Sequence, residues 1–398
     1  MSNFGGVPLL PPDQIFGVVF EFAEDKREDK LNLCIGVYRS EDGKPFIFDA
    51  VKQVEARFLQ IEDSKEYLPI RGEGKYCELT AELAYGKDGY AEAKNQLYVN
   101  QTPGGTGALR AAAELLKEQI QSTIHLPDPT WVNHAPIFQK VGLTVERYPY
   151  FHGEKRRVDV EKMVDALKKL PEQAVVLFHA ACHNPSGCDP SEEEWKEIVE
   201  VVKQRKILPL VDFAYQGFGE GLEKDNVLLR ILLEKQVEHM VAYSFSKNLG
   251  MYGERTGALF VYTDNKDLVE PVGSYVRSLV RTNYSNCPRH GATLVRTVLG
   301  DKELRSTWEQ ELESIRLRIV NLRERLQKRM QEELPDRDWS FFTRQKGMFS
   351  MCGFPKEIVH RLKSEFAIYM TESARINIAA LNDQSIEYFI DSLKKAHS

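Results

Sequence analysis

Apolar residues follow two rhythms along this chain. In its middle, short continuous apolar runs alternate with stretches in which apolar residues recur every three or four positions. Gln96–Asn100 is the first such run, followed by the turn Thr102-Pro-Gly-Gly-Thr-Gly107 and an alanine-rich helical pattern to Lys117. Ala174–His179 is a second strand, leading into the loop His183-Asn-Pro-Ser-Gly187. Ser191-Glu-Glu-Glu194 reads as a capping box, because a serine and a glutamate three residues apart can each satisfy the other's backbone N–H. Trp195, Ile198, Val199 and Val202 then share one helical face. Ile207–Phe213, Met240–Phe245 and Thr256–Tyr262 complete the strands. Strands that are apolar throughout and separated by helices predict an α/β body whose mostly parallel sheet is covered on both faces.

The tail changes rhythm. Leu312, Ile315, Ile319, Leu322, Leu326 and Met330 repeat at three and four, predicting a long helix over 307–334 that Pro335 ends. Pro8, Pro11 and Pro12 predict an extended N-terminal arm. The expected division is a large α/β domain over 46–306 and a smaller α+β domain. The smaller one combines the arm and first segment, 1–45, with 307–398.

Composition narrows the functional classes. The chain has 398 residues with 53 basic and 59 acidic side chains, a net charge of −6. A mildly acidic chain is a poor polyanion binder, so neither nucleic acid nor an anionic membrane is an expected partner. No apolar run reaches the ~18–20 residues of a membrane helix, and the first twenty residues lack signal or transit character. Six scattered cysteines with no CxxC pair predict buried, reduced thiols and a cytoplasmic protein.

Ligands of an open α/β sheet gather at the carboxyl ends of its strands. Those ends carry Gly104–Gly107, Asn184, Asp212 with Tyr215, and Ser244 to Lys247. The glycine-rich turn opens a helix, where backbone N–H groups and the Thr106 hydroxyl suit an anion, although a tight turn alone also demands glycine. It lacks the third glycine of a dinucleotide fingerprint and the lysine of a P-loop. A lysine desolvated at a strand end has a lowered amine pKa and can condense with a carbonyl, whereas most lysines are simply solvated. Ser244-x-x-Lys247 with Tyr284-Ser-Asn286 also matches two motifs of penicillin-recognising enzymes, but no Lys-Thr-Gly follows. Asp212 needs a cationic partner, either a neighbouring Arg or Lys or a protonated heterocyclic nitrogen. Arg281 and Arg375 suit carboxylates through their guanidinium forks, or are structural ion pairs. His179, Cys182, His183 and Cys188 fit no zinc spacing, and no metal is expected.

Five segments together carry a resemblance. Asp128-Pro-Thr-Trp131-Val-Asn-His, His183-Asn-Pro-Ser-Gly187, Asp212-Phe-Ala-Tyr215-Gln-Gly-Phe, Ser244-Phe-Ser-Lys247-Asn-Leu-Gly-Met-Tyr-Gly-Glu-Arg255 and Arg281-Thr-Asn-Tyr-Ser-Asn resemble the class I aspartate aminotransferases. The likeness runs in order from about Leu33 to Arg375. It implies a fold type I enzyme dependent on pyridoxal 5'-phosphate, working as a homodimer on amino acids and 2-oxo acids. By this resemblance Lys247 would hold the cofactor covalently and shuttle the proton. Asp212 would pair with the ring nitrogen, Tyr215 and Asn184 with the ring oxygen, and Trp131 would stack on the ring. Gly105, Thr106, Ser244 and Arg255 would cradle the phosphate, joined by Tyr67 from the other subunit. Arg375 would take the substrate α-carboxylate with Asn184, Trp131 and the backbone at Gly36, while Arg281 from the other subunit would take the distal carboxylate.

Relatives that accept aromatic amino acids tend to carry Leu, Ser and Ser where this chain has Val37, Thr106 and Asn286, which favours aspartate and 2-oxoglutarate as substrates. An aromatic or dual specificity is the alternative. Glu66 stands where Asn is usual, the loop Gly43-Lys-Pro45 is one residue short, and Cys287 replaces a common Pro near Arg281. That cysteine is either a reactive thiol or a buried structural one.

Overall fold

The computed structural model describes residues 2–13, 15–62 and 64–397. Its centre is a seven-stranded sheet of β1 (Leu97–Pro103), β2 (Thr123–Asp128), β3 (Thr144–Pro149), β4 (Val175–His179), β5 (Leu208–Phe213), β6 (His239–Ser244) and β7 (Thr256–Tyr262). The spatial order is β1-β7-β6-β5-β4-β2-β3. Neighbours from β6 to β3 run parallel, while β7 is antiparallel to both β6 and β1. Side chains alternate across each strand. Val176 and Phe178 of β4 therefore join one core and Val175 and Leu177 the other, on opposite faces.

The elements differ from the sequence expectation in instructive ways. β1 extends past Asn100 to Pro103 because β7 pairs with it along its whole length, burying Asn100, Gln101 and Thr102. Backbone pairing overrides side-chain polarity there. β2 and β3 were not distinguished by pattern, and β3 in particular is a largely polar edge strand with only Tyr148 buried. The long helix spans Lys302–Glu333 and starts five residues earlier than expected. Asp301 fixes that start, its carboxylate accepting from the N–H groups of Glu303 (2.9 Å) and Leu304 (3.1 Å). The expected boundary at 306/307 thus falls inside one helix, which Trp308 ties to the sheet body by donating Nε1–H to Asn248 O at 2.6 Å.

The two ends of the chain meet. Leu31–Asn32 pairs in parallel with Ile368–Tyr369, and Phe349–Met351 pairs antiparallel with Arg375–Asn377. Ahead of the helix Phe16–Glu24, residues 3–6 form turns and residues 7–13 no regular element, with Phe4, Leu9 and Leu10 turned to solvent.

The Ser191 capping box is present: Ser191 Oγ accepts from Glu194 N at 3.2 Å, and Ser191 N donates to Glu194 Oε2 at 2.7 Å. Ser191→Ala is expected to destabilise the fold by about 1 kcal/mol. A fall in the thermal midpoint with turnover unchanged is the check, since Ser191 is exposed and its side chain bonds to its own helix start.

Candidate active site

The chemistry gathers where β1, β4, β5 and β6 end and antiparallel β7 begins. That reversal matters. Thr256 pairs with Pro103 and Gly257 with Ser244, so Arg255, just before β7, arrives at the same edge as the glycine turn after β1. The helix Gly104–Gln119 starts there, leaving its first N–H groups without intrahelical acceptors. Gly104 adopts φ +75°, and a side chain on it would meet the Arg255 guanidinium at 2.6 Å. A side chain on Gly105 would press on Ser244 Cβ at 3.1 Å. Ser246 completes the group, accepting from Arg255 Nη1 at 3.3 Å and from Ser244 Oγ at 3.1 Å. Helix N–H groups, two hydroxyls and a guanidinium form a cradle for a phosphate-sized anion.

Lys247 lies one residue beyond Ser246, its Nζ 4.8 Å from the centre of the Tyr215 ring. Burial pushes its amine down to about 8, helped by Arg255 and Arg375 and opposed by Asp212. Asp212 near the end of β5 is held by His134, whose Nε2 donates to Oδ2 at 3.1 Å. Burial alone would raise this carboxyl, but the hydrogen bond and charge of His134, with Lys247 behind, leave it below the usual carboxylate range. The structure thus gives it an imidazole partner on one oxygen that the sequence reading did not name. Local pattern carries no signal for a pairing 78 positions apart. Thr130 Oγ1 lies 2.7 Å from His134 Nδ1 and 3.3 Å from His179 Nε2, and Trp131 stands edge-on to His134 with ring centres 5.2 Å apart. The ligand atoms of His134, His179 and Asp212 lie within 4.8 Å of one another. Those nitrogens are already engaged in this hydrogen-bonded chain, which braces the carboxylate.

On the other side, Asn184 joins two groups. Its Nδ2 donates to Tyr215 Oη at 3.5 Å, and its Oδ1 accepts from Arg375 Nη1 at 3.1 Å. Burial raises the Tyr215 phenol well above its ordinary value, so it keeps its proton and can donate. Arg375 is buried, with Nη2 donating to Cys34 O at 2.5 Å while its Nε has no partner. Phe349 lies 4.2 Å from the guanidinium, and a side chain on Gly36 would strike that ring at 2.7 Å. His134, Cys34 O and Phe349 thus belong to the site although the sequence reading gave them no part in it. Tyr67 (84% exposed) and Arg281, at the end of the helix Val269–Asn283, stand apart from this cluster and face solvent. All six cysteines are buried and free. Cys287 donates to Gln101 O at 3.1 Å, and burial pushes its thiol up to about 12, the setting of a buried structural cysteine rather than an activated one.

A desolvated lysine beside a carboxylate, with an anion cradle on one side and a buried guanidinium on the other, restricts the family sharply. Residues 28–393 match the family model for aminotransferase class I and II. The chain belongs to the class I and II aminotransferases. The aspartate aminotransferase of Haemophilus influenzae is 41% identical over 393 residues, covering 98% of this chain and 99% of that protein. That of Escherichia coli K12 is 40% identical over 384 residues, covering 96% and 97%. Among solved structures, an aromatic-amino-acid aminotransferase from Burkholderia pseudomallei covalently bound to pyridoxal phosphate superposes with a TM-score of 0.96, at 38% identity and full coverage of both chains. The cytoplasmic aspartate aminotransferase of Saccharomyces cerevisiae gives 0.96 at 33% identity, covering 99% of this chain and 98% of its own. This class I and II aminotransferase is a pyridoxal-phosphate enzyme, and the donor set fits that group. The glycine-built cradle suits the phosphate, ionised Asp212 suits a protonated ring nitrogen, and Tyr215 and Asn184 suit the ring oxygen.

Proposed function

We propose that this aminotransferase exchanges an amino group between L-aspartate and 2-oxoglutarate, giving oxaloacetate and L-glutamate. Arg375 carries the reading: a buried fork beside Lys247, with Nε still unpartnered, is built for a carboxylate. Pyridoxal phosphate, when bound, supplies an electron sink for the α-carbon. Gly105, Thr106, Ser244 and Arg255 hold its phosphate, and Asp212 keeps its ring nitrogen charged. Tyr215 and Asn184 donate to its ring oxygen, and Trp131 covers its face. Lys247 would carry the covalent link and, once free of it, would hold the α-proton on Nζ, which its depressed pKa allows near neutrality. Arg375, with Asn184, Trp131 and the Gly36 backbone, grips the substrate α-carboxylate.

The distal carboxylate needs a second cation, and we assign it to the partner subunit's Arg281, with the partner subunit's Tyr67 reaching the phosphate. Both residues point outward from their own chain, as a shared site in a homodimer requires. The arm with exposed Leu9 and Leu10 would clasp the second subunit. The smaller unit, 1–45 with the part of the chain beyond Trp308, would close on the sheet body to exclude water. No helix among the described residues is long and apolar enough to cross a membrane; the cytoplasmic location we propose rests on the six scattered cysteines with no CxxC pair.

Aromatic substrates are the second reading, supported by the likeness to the aromatic-amino-acid aminotransferase of Burkholderia pseudomallei and left open by Glu66 and the short loop Gly43-Lys-Pro45. Turnover of aspartate and phenylalanine with 2-oxoglutarate separates the two. Arg281→Ala is expected to lower kcat/KM for aspartate by about 100-fold and to spare phenylalanine. Unchanged aspartate turnover would remove Arg281 from the site.

A further inference from the structure

Arg323, in the long helix Lys302–Glu333, is a buried guanidinium with no carboxylate partner among the described residues. All its N–H groups go to one short stretch of chain. Nε donates to Gly347 O (3.3 Å), and Nη1 to Phe342 O and Ser350 Oγ (both 2.8 Å). Nη2 donates to Lys346 O (3.2 Å), Gly347 O (2.8 Å) and Phe349 O (2.7 Å). Burying a charge is expensive, and satisfying it with four carbonyls and the Ser350 hydroxyl fixes where those oxygens lie.

The clamped stretch leads to the carboxylate site by two routes. Phe349 and Ser350 lie in the strand paired with Arg375–Asn377, in the register Phe349 to Asn377 and Met351 to Arg375. The Phe349 ring also lies against the Arg375 guanidinium at 4.2 Å. The same stretch touches the Asn184 loop: Lys346 N donates to Gly187 O at 2.6 Å, and a side chain on Gly187 would come within 2.5 Å of Phe349 O. We propose that Arg323 is a positioning residue for substrate recognition, orienting Arg375 and Asn184 through the 342–350 stretch without touching substrate.

This rests on the reading of Arg375 as the α-carboxylate ligand, and the test separates the two. Succinate, an unreactive dicarboxylate, is titrated into the loaded enzyme and into its Arg323→Lys, Arg323→Met, Arg375→Ala and doubly substituted forms. Cofactor retention and the thermal midpoint are read alongside. Arg323→Met is expected to weaken succinate about 10-fold and to raise KM for aspartate, with kcat within about threefold and cofactor retained. Arg323→Lys, which keeps the charge and some of the bonds, should fall between. In the Arg375→Ala background the same change should cost nothing further, because its route to the substrate is gone. Equal losses in both backgrounds, or release of cofactor with succinate affinity, would mark Arg323 as merely structural and overturn the proposal. Should Arg375→Ala alone leave succinate binding intact, the carboxylate reading falls and the proposal with it. Arg323→Lys remains informative if the methionine variant fails to fold.

Discussion

Lys247→Ala is expected to lower turnover by about 10⁴-fold or more, since one side chain supplies both the covalent link and the proton transfer. Nothing nearby can substitute. Tyr215 is kept protonated by burial, Arg255 and Arg375 cannot act as bases, and Asp212 is bound to His134. Cofactor should still bind through the anion cradle, but after borohydride reduction of the C=N link, denaturation should release all of it from the variant and retain it on the parent chain. Activity within 100-fold of the parent would remove Lys247 from the chemistry. The amine also predicts a pH dependence with a definite sign. Burial depresses it to about 8, and a depressed lysine is more often neutral. In the cofactor-free chain, reaction of Lys247 with a neutral aldehyde should rise with pH through about 8 and then level off. An ordinary solvated lysine would keep rising to about 10.4. A midpoint at that higher value would mean that the strand-end setting does not desolvate the amine.

How far the sequence reached depended on whether the evidence was local. Strands apolar on both faces, the glycine turn, and Ser191 with Glu194 announce themselves within a few residues, and the sheet and capping box follow. The site edge was legible because parallel strands put their carboxyl ends together, so Asn184, Asp212, Tyr215 and Lys247 had to meet. What stayed hidden depends on pairing across long separations. His134 reaches Asp212 only once β2 and β5 flank β4, and a histidine in a short helix has no mark of that duty. β3, exposed and polar at the sheet edge, has too little apolar patterning to register. Arg323 looks like any arginine on a charged helix, because burial among carbonyls leaves no trace in residue type. Tyr67 and Arg281 are a different case: their roles came from resemblance, and their exposure gives them the accessibility that a second subunit would need.

Asp212→Asn is expected to lower turnover by about 10³-fold while leaving the fold intact. The amide keeps the size of the carboxylate and can still accept from His134, so packing at the end of β5 should not change. What is lost is the charge. In the parent chain, burial would push the Asp212 carboxyl up, and the hydrogen bond and charge of His134, with Lys247, hold it ionised instead. A group held ionised in a buried setting is already oriented, so it stabilises a cation on a ring nitrogen at little reorganisation cost. An amide cannot do this, and the nitrogen facing it would lose its proton and with it the pull on the α-carbon electrons. Because the folded-state pKa is lowered, the carboxylate stays charged on the alkaline side and is lost only as pH falls through that lowered value. Turnover of the parent should therefore show no acid limb from Asp212 near neutrality, and the variant should be slow across the same range. The thermal midpoint should move little. Turnover of Asp212→Asn within about tenfold of the parent would show that the ring nitrogen does not depend on this carboxylate.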